Sequence, residues 1–298
     1  MTAATDTEPM ARALELAASV RAVTPPNPWV GCVLEARDGT RFEGATAAVG
    51  GPHAEAAALA AAGDHDLSGA TAWVTLEPCA HHGRTPPCAD ALVAAGVGRV
   101  VVAIEDPDPQ VAGQGIAHLR EAGIVVEVGI GATEATSLLA PYLRHRRTGR
   151  PFVVLKLAST LDGRIAAPDG TSQWITGPEA RADAHRLRAE SDAVVVGAGT
   201  VRVDDPSLTV RDADAPRGDP LRVVLGHAPE GAKVHPCVEH DGPLTTLLDD
   251  LGAKGHLQVL VEGGAAVARA FHASGLVDRY VLYLAPALLG GDDGRGVF

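Results

Sequence analysis

A histidine and two cysteines stand at spacings that suit a metal ion. His53 is followed two residues later by Glu55, and Cys79 and Cys88 come after it in the segment Pro78-Cys-Ala-His-His-Gly-Arg-Thr-Pro-Pro-Cys. One imidazole and two thiolates can hold a Zn²⁺ ion and leave its fourth tetrahedral position open for water. A glutamate beside such an ion can move protons to and from that water. The sequence therefore predicts a hydrolytic zinc site, with His53, Cys79 and Cys88 as ligands and Glu55 as the acid/base.

The same residues also permit a non-catalytic interpretation. The two cysteines could form a disulfide, and the histidine could be an ordinary surface residue. A closed structural zinc site is a further possibility, with His81 or His82 as the fourth ligand. Eight residues separate the cysteines, whereas the usual pattern of zinc deaminases has two between them. Glu55 favours a catalytic site, because a closed site has no use for an acid/base next to its histidine.

The flanking sequence indicates which elements carry these residues. The histidine begins an alanine-rich run, 53–62, that has strong helix propensity. Because residues i and i+2 do not share a helix face, it can meet Glu55 at one ion only from the first turn. The alternating segment 70–76 predicts a strand that ends just before Cys79. Cys88 begins a further predicted helix, whose dipole favours a thiolate.

Composition limits the classes of protein to which this chain can belong. The 298 residues can hold two ordinary domains, and a net charge of −12 without a long basic run argues against an extended nucleic-acid interface. An acidic N-terminus without an apolar run predicts no secretion signal, and no stretch is apolar enough to span a membrane. Four cysteines predict a reducing compartment, with Cys32 an inert buried thiol and Cys237 without a role. We expect a cytoplasmic homo-oligomer that acts on a small molecule, without nucleic-acid or membrane partners.

Helix and strand patterns divide the chain into two α/β parts. Residues 1–145 alternate strands and helices in an order that predicts a three-layer α/β/α sandwich. The basic stretch 146–151 is predicted to be a solvated linker. In residues 152–298, Val261-Glu-Gly-Gly predicts a strand that runs into a helix N-terminus suited to a pyrophosphate. Gly197-Ala-Gly is a weaker signal, because a turn with positive φ explains its glycines equally well.

Eight longer segments form one ordered pattern. They are residues 24–32 (TPPNPWVGC), 52–55 (PHAE), 75–88 (TLEPCAHHGRTPPC), 105–115 (EDPDPQVAGQG), 155–164 (LKLASTLDGR), 172–176 (SQWIT), 196–209 (VGAGTVRVDDPSLT) and 261–264 (VEGG). In order and over nearly the whole chain, they resemble the bifunctional deaminase–reductases of riboflavin biosynthesis. An eight-residue loop between the two cysteines is typical of that family.

The resemblance implies a fold and two reactions. A cytidine-deaminase-like sandwich would be followed by a dihydrofolate-reductase-like α/β domain. The first would bind one Zn²⁺ per chain and remove the ring 2-amino group of 2,5-diamino-6-ribosylamino-4(3H)-pyrimidinone 5′-phosphate as ammonia. The second would use NADPH to reduce the ribosyl side chain, giving 5-amino-6-ribitylaminouracil 5′-phosphate.

The resemblance also implies individual contacts, by position. Those to substrate fall at Asn27, His81, Arg84, Lys156, Ser172, Arg188, Leu208, Arg211 and Glu262. Those to the cofactor fall at Ala158, Trp174, Thr200, Asp204, Gly264, Ala265, Ala266, Val267 and Ala268.

Three departures from the family pattern accompany this resemblance. Thr46 stands where many relatives have a histidine, and the stretch 235–244 is shorter than expected and has no clear apolar strand. The chain ends at Phe298, where relatives continue through further strands of the reductase sheet. The last departure supports an alternative hypothesis, in which an active deaminase is joined to an incomplete, non-catalytic reductase domain.

Overall fold

The computed structural model of the protein describes residues 6–80, 87–109, 111–166, 176–290 and 295–296. The chain divides into two compact units, Met1–Thr148 and Gly149–Phe298. Within the described ranges, no helix is both long and apolar enough to cross a lipid bilayer.

The first unit is built on one five-stranded sheet. Its strands are β1 (Gly31–Glu35), β2 (Arg41–Ala45), β3 (Thr71–Val74), β4 (Arg99–Val102) and β5 (Val125–Val128). Its helices are α1 (Thr7–Ser19), α2 (Ala54–Ala62), α3 (Cys88–Ala94), α4 (Gln114–Glu121), α5 (Ala132–Leu138) and α6 (Ala140–Thr148). The strand order is β2-β1-β3-β4-β5; β3, β4 and β5 are parallel, whereas β1 is antiparallel to both neighbours.

Helices cover both faces of this sheet. Met10 of α1 and Ala135 of α5 pack in one cluster with Val33 and Trp73, whose side chains share a face. On the other face α2 lies close to β2 at Gly44, where an added Cβ would stand 2.2 Å from the carbonyl oxygen of Ala54. The arrangement is the predicted three-layer sandwich.

The second unit is built on a six-stranded parallel sheet. Its strands are β6 (Phe152–Thr160), β8 (Ala193–Gly197), β9 (Leu221–Leu225), β10 (Val238–His240), β11 (Gln258–Val261) and β12 (Arg279–Ala285), with the short antiparallel pair β7 (Arg164–Ala166) and β13 (Arg295–Gly296) beside it. Its helices are α7 (Pro178–Ala189), α8 (Ala198–Asp204), α9 (Leu244–Ala253) and α10 (Ala265–Ala273). The order is β10-β9-β8-β11-β6-β12, and every neighbouring pair is parallel. All five residues of β8 are buried, which explains its unbroken apolar sequence.

Two regions differ from the expectation. Residues 146–148 continue α6 rather than forming linker, and Arg146 lies over the Tyr142 ring and pairs with Asp108 at 3.3 Å. The stretch 235–244, in which the sequence shows no clear apolar strand, contains β10. Because β10 is an edge strand with one neighbour, β9, it forms without an apolar pattern of its own.

Candidate functional sites

The three predicted zinc ligands converge in the first unit. His53 is the N-cap of α2, Cys79 follows β3, and Cys88 is the first residue of α3. His53 Nδ1 lies 3.6 Å from Cys79 Sγ and 3.4 Å from Cys88 Sγ, and the three ligand atoms all lie within 4.8 Å of one another. Tetrahedral zinc bonds of ordinary length place an N and an S ligand atom about 3.5 Å apart. Both cysteines are free thiols, so the disulfide alternative is wrong and the donor set fits zinc.

The protonation states at this site suit metal binding and proton transfer. The hydrogen bond from the Cys88 thiol lowers the pKa of Cys79 to about 4, which favours the thiolate that binds zinc. Glu55 lies in the first turn of α2, buried beside these thiols, and burial raises the pKa of its carboxyl to about 7. A carboxyl with a pKa near the working pH is well suited to general acid/base catalysis.

Glu77 fixes the loop that carries Cys79. It is buried, and its two carboxylate oxygens accept hydrogen bonds from four main-chain N–H groups. The donors are Asp106 (3.2 Å), Gly113 (2.9 Å), Gly115 (2.9 Å) and Ile116 (3.1 Å). A Cβ on Gly115 would stand 1.8 Å from the carbonyl oxygen of Pro78. Only glycine therefore permits this approach of α4 to the loop that carries Cys79, the zinc loop. Glu77 is not among the residues predicted from the sequence, although a glutamate between an apolar strand and Pro-Cys signals a buried carboxylate.

The substrate contacts predicted for the first unit are only partly described. Asn27 is half-buried in the turn between α1 and β1, and its N–H donates to the Thr24 carbonyl at 3.0 Å. His81 and Arg84 lie outside the described residues. Thr46 is buried, and its hydroxyl accepts the N–H of Val30 at 3.2 Å, so it supports the main chain before β1.

Three predicted substrate residues of the second unit come together at the end of β11. Arg188 of α7 makes a bidentate contact with Glu262, at 2.5 and 3.0 Å, and Lys156 of β6 lies 3.8 Å from the same carboxylate. The Glu262 side chain is 7% exposed. Burial opposes its ionisation, but the hydrogen bonds and charge of Arg188 outweigh burial and lower the pKa of Glu262. The carboxylate is therefore ionised and held in one orientation.

A strained loop follows α8. Asp205, Leu208 and Asp212 all have positive φ, between 40° and 56°, which non-glycine residues rarely adopt. Leu208 is buried, whereas Arg211 is exposed and its guanidinium donates to the hydroxyls of Ser207 (2.9 Å) and Thr209 (3.0 Å). Strain of this kind persists where surrounding contacts fix the backbone, and it concentrates at functional sites.

The N-termini of two helices, α8 and α10, meet close to Glu262. Gly264 is the N-cap of α10, and its N–H donates to Thr200 Oγ1 of α8 at 3.3 Å. Gly197 has φ of −87°, so a left-handed turn does not explain it. A Cβ added to Gly197 would lie 2.8 Å from the Val267 side chain, and one added to Gly263 would lie 2.4 Å from it. These glycines therefore allow close packing of α10. Because β8 and β11 are neighbours, both helix N-termini lie at the same edge of the sheet.

Among the described residues, the remaining predicted cofactor contacts lie on β6, α8 and α10. Ala158 is half-buried in β6, Asp204 is exposed at the end of α8, and Ala268 is buried in the core. Ala265 and Ala266 lie in the first turn of α10. The predicted cofactor residue Trp174 and the predicted substrate residue Ser172 lie outside the described residues.

Family models match most of the chain. Residues 3–104 match the cytidine and deoxycytidylate deaminase zinc-binding region, and residues 151–298 match the RibD C-terminal domain. A zinc-binding deaminase domain and a reductase domain are both present.

Individual relatives match over nearly the full length. The chain is 42% identical to the riboflavin biosynthesis protein RibD of Escherichia coli, over 97% of this chain and 89% of that protein. It is 44% identical to the Mycobacterium tuberculosis RibD, over 95% and 86%. Among solved structures, Acinetobacter baumannii RibD superimposes with a TM-score of 0.89 at 42% identity, covering 99% of this chain and 90% of that one. A Thermotoga maritima protein described as a diaminohydroxyphosphoribosylaminopyrimidine deaminase/5-amino-6-(5-phosphoribosylamino)uracil reductase gives 0.87 at 36% identity, covering 98% and 89%.

Identity of this extent, across both domains and the segments that carry the two candidate sites, places the chain in one family. The chain belongs to the RibD family of riboflavin biosynthesis proteins, which are bifunctional, zinc-dependent deaminases and NADPH-dependent reductases.

Proposed function

We propose that the unit Met1–Thr148 carries out the deamination, with His53, Cys79 and Cys88 holding the zinc and Glu55 moving the proton. The observation that supports this assignment is the convergence of three ligand atoms beside a buried carboxyl whose pKa is about 7. Zinc, when bound there, lowers the pKa of a water molecule towards neutrality. Glu55 accepts a proton from the attacking water and donates it to the departing ammonia.

The proposed substrate is the diaminopyrimidine ribose phosphate named in the description of the Thermotoga maritima protein. The Thermotoga maritima protein carries both activities in its description. We propose the same pair for this chain: hydrolysis of the 2-amino group of 2,5-diamino-6-ribosylamino-4(3H)-pyrimidinone 5′-phosphate, then reduction of its ribosyl side chain to ribityl. In the first unit, Asn27, His81 and Arg84 are the proposed substrate contacts.

The unit Gly149–Phe298 is the proposed reductase. NADPH supplies the hydride, and its pyrophosphate is proposed to bind at the N-termini of α8 and α10, near Thr200 and Gly264. Arg188, Glu262 and Lys156 would hold the sugar where Glu262 follows β11 beside the middle of β6, so that its carbonyl carbon could accept the hydride. Arg211 is the proposed contact of the substrate phosphate, because its exposed guanidinium is bound only to hydroxyl oxygens among the hydrogen bonds described.

A cytoplasmic location and a homo-oligomeric state complete the proposal. All four cysteines are free thiols, which suits a reducing compartment. Tyr280, Leu282 and Leu284 alternate along the edge strand β12 and are each about half exposed, at 48%, 50% and 56%. This apolar face is suited to contact with a second copy of the chain.

A coupled assay tests the proposed function. Ammonia release and NADPH oxidation are recorded separately with the diaminopyrimidine phosphate and with its deaminated product. Cys79→Ala and Cys88→Ala should lose zinc and ammonia release and retain NADPH oxidation on the deaminated product. Cys237→Ala is the matched control and should retain both. Ammonia release that persists in either zinc-ligand variant would contradict the assignment.

A further inference from the structure

His185 contacts the strained loop that carries Arg211. Its side chain is buried in α7, and its Nδ1 accepts a hydrogen bond from the main-chain N–H of Arg211 at 3.0 Å. Arg188 lies one turn further along the same helix face and donates to the carbonyl oxygen of Thr209 at 3.0 Å. One face of α7 therefore holds two points of the loop.

A third side chain also holds the main chain of this loop. Asp219 accepts the main-chain N–H of Val210 at 2.8 Å. Three consecutive residues, 209–211, are thus each held by a side chain: two from α7 and one from Asp219, which lies later in the same connection between α8 and β9. Leu208, immediately before them, is buried and has φ of 53°, a conformation that non-glycine residues rarely adopt. External contacts are therefore required to keep the loop in this shape.

The two arginines at the site, Arg188 and Arg211, differ in the partners of their guanidinium groups. The guanidinium of Arg188 is paired with Glu262 in a bidentate contact. The guanidinium of Arg211 contacts only neutral hydroxyl oxygens among the hydrogen bonds of the described residues, and no carboxylate pairs with it there. Its charge is available to an anion, so the position of its main chain decides where an anion is bound.

We propose that His185 is a positioning residue of the reductase site: its unprotonated Nδ1 holds the main chain of Arg211 and so places the Arg211 guanidinium for the phosphate of the substrate. This inference rests on the proposed function, because it takes the substrate of the second unit to be a phosphate ester. His185 itself needs no contact with substrate or cofactor.

The protonation state of His185 controls this contact. An imidazole Nδ1 can accept the Arg211 N–H only while it carries no proton. Burial and the charges of Arg188 and Arg211 lower the pKa of His185, against the opposing influence of Asp212 and Glu262. The hydrogen bond is therefore complete above the ordinary histidine pKa of about 6.5 and is lost as the pH falls through the lower pKa of the folded protein.

Two variants of the full chain distinguish a role of His185 in positioning Arg211 from a general role in the stability of the domain. His185→Leu removes the acceptor, whereas His185→Asn keeps an oxygen acceptor at a similar distance from the backbone. On the deaminated phosphorylated substrate, the Leu variant should raise KM roughly ten- to one-hundred-fold with kcat nearly unchanged, and the Asn variant should recover most of this loss. On the dephosphorylated substrate, both variants should match the unaltered protein. At acidic pH, KM should rise more steeply for the unaltered protein than for the Asn variant.

Hydrogen–deuterium exchange of residues 207–212 supplies a readout that needs no catalysis. The Leu variant should exchange faster than the unaltered protein, and the Asn variant should remain protected. Unchanged exchange in the Leu variant, or equal losses on the phosphorylated and dephosphorylated substrates, would overturn the role of His185. If the unaltered protein itself reduces both substrates equally well, the proposed phosphate ester is wrong, and the exchange result still decides whether His185 holds the loop.

Discussion

Glu77 Oε1 lies 2.9 Å from the main-chain nitrogen of Gly115, which ties the residue two positions before Cys79 to the first turn of α4. The same carboxylate accepts the N–H groups of Asp106, Gly113 and Ile116. The zinc loop is thus held by a buried anion that satisfies four main-chain donors.

Replacing Glu77 should weaken zinc retention and stability together. Glu77→Gln puts an amide donor among main-chain donors, and an unsatisfied buried group of this kind costs about 1 to 3 kcal/mol. We expect a lower unfolding midpoint in urea and faster zinc release to a chelator. Glu121→Gln, at the exposed end of α4, is the control and should change neither. A Glu77→Gln protein that releases zinc at the unaltered rate would show that the loop holds its shape without this carboxylate.

Gly115→Ala tests directly the close approach of α4 to the zinc loop. Its Cβ would stand 1.8 Å from the Pro78 carbonyl oxygen, so α4 and the zinc loop must separate. We expect loss of ammonia release and a stability loss of about 1 to 3 kcal/mol, as for overpacked sites in general. Gly199→Ala in α8 is the control, because no atom lies within 4 Å of its added Cβ, and it should leave ammonia release unchanged. Equal ammonia release by the two variants would count against the packing argument.

The stability of the first unit should depend on pH through Asp6. The buried carboxylate of Asp6 accepts bonds from Arg99, at 2.7 and 2.8 Å, and from Trp73 at 3.0 Å. The Arg99 hydrogen bonds lower the pKa of Asp6 below its ordinary value. The stabilisation is therefore complete above the unfolded-state pKa of about 3.9 and is lost as the pH falls through the lower folded-state pKa.

Asp6→Asn measures this contribution. At pH 7 it should cost about 1 to 3 kcal/mol, because Arg99 loses its buried acceptor and keeps only its contact with Glu127. The gap to the unaltered protein should shrink below about pH 4. Glu15→Gln, which breaks the exposed pair with Arg12, should cost less than about 1 kcal/mol. Thermal unfolding at pH 7 and pH 3 makes the comparison; a gap that is equally large at both values would mean that Asp6 acts through packing rather than charge.

Local patterns predict the elements and the zinc ligands, because these depend on short spacings. His53 and Glu55 lie two residues apart, and β8 is an unbroken apolar run. The supporting contacts join distant segments and leave no such pattern: Glu77 and Gly115 are separated by 38 positions, and His185 and Arg211 by 26. The basic sequence 146–151 suggests a solvated linker, but its first three residues continue α6, and Arg146 packs on Tyr142.

The central claim is that Glu55 carries the proton in the deamination, independently of the second site. The direct measurement is the zinc content of Glu55→Gln together with its ammonia release and its NADPH oxidation on the deaminated substrate. We predict full zinc, ammonia release reduced by about 10² to 10⁴ or more, and near-normal NADPH oxidation. Near-normal ammonia release from the zinc-loaded variant would contradict the claim.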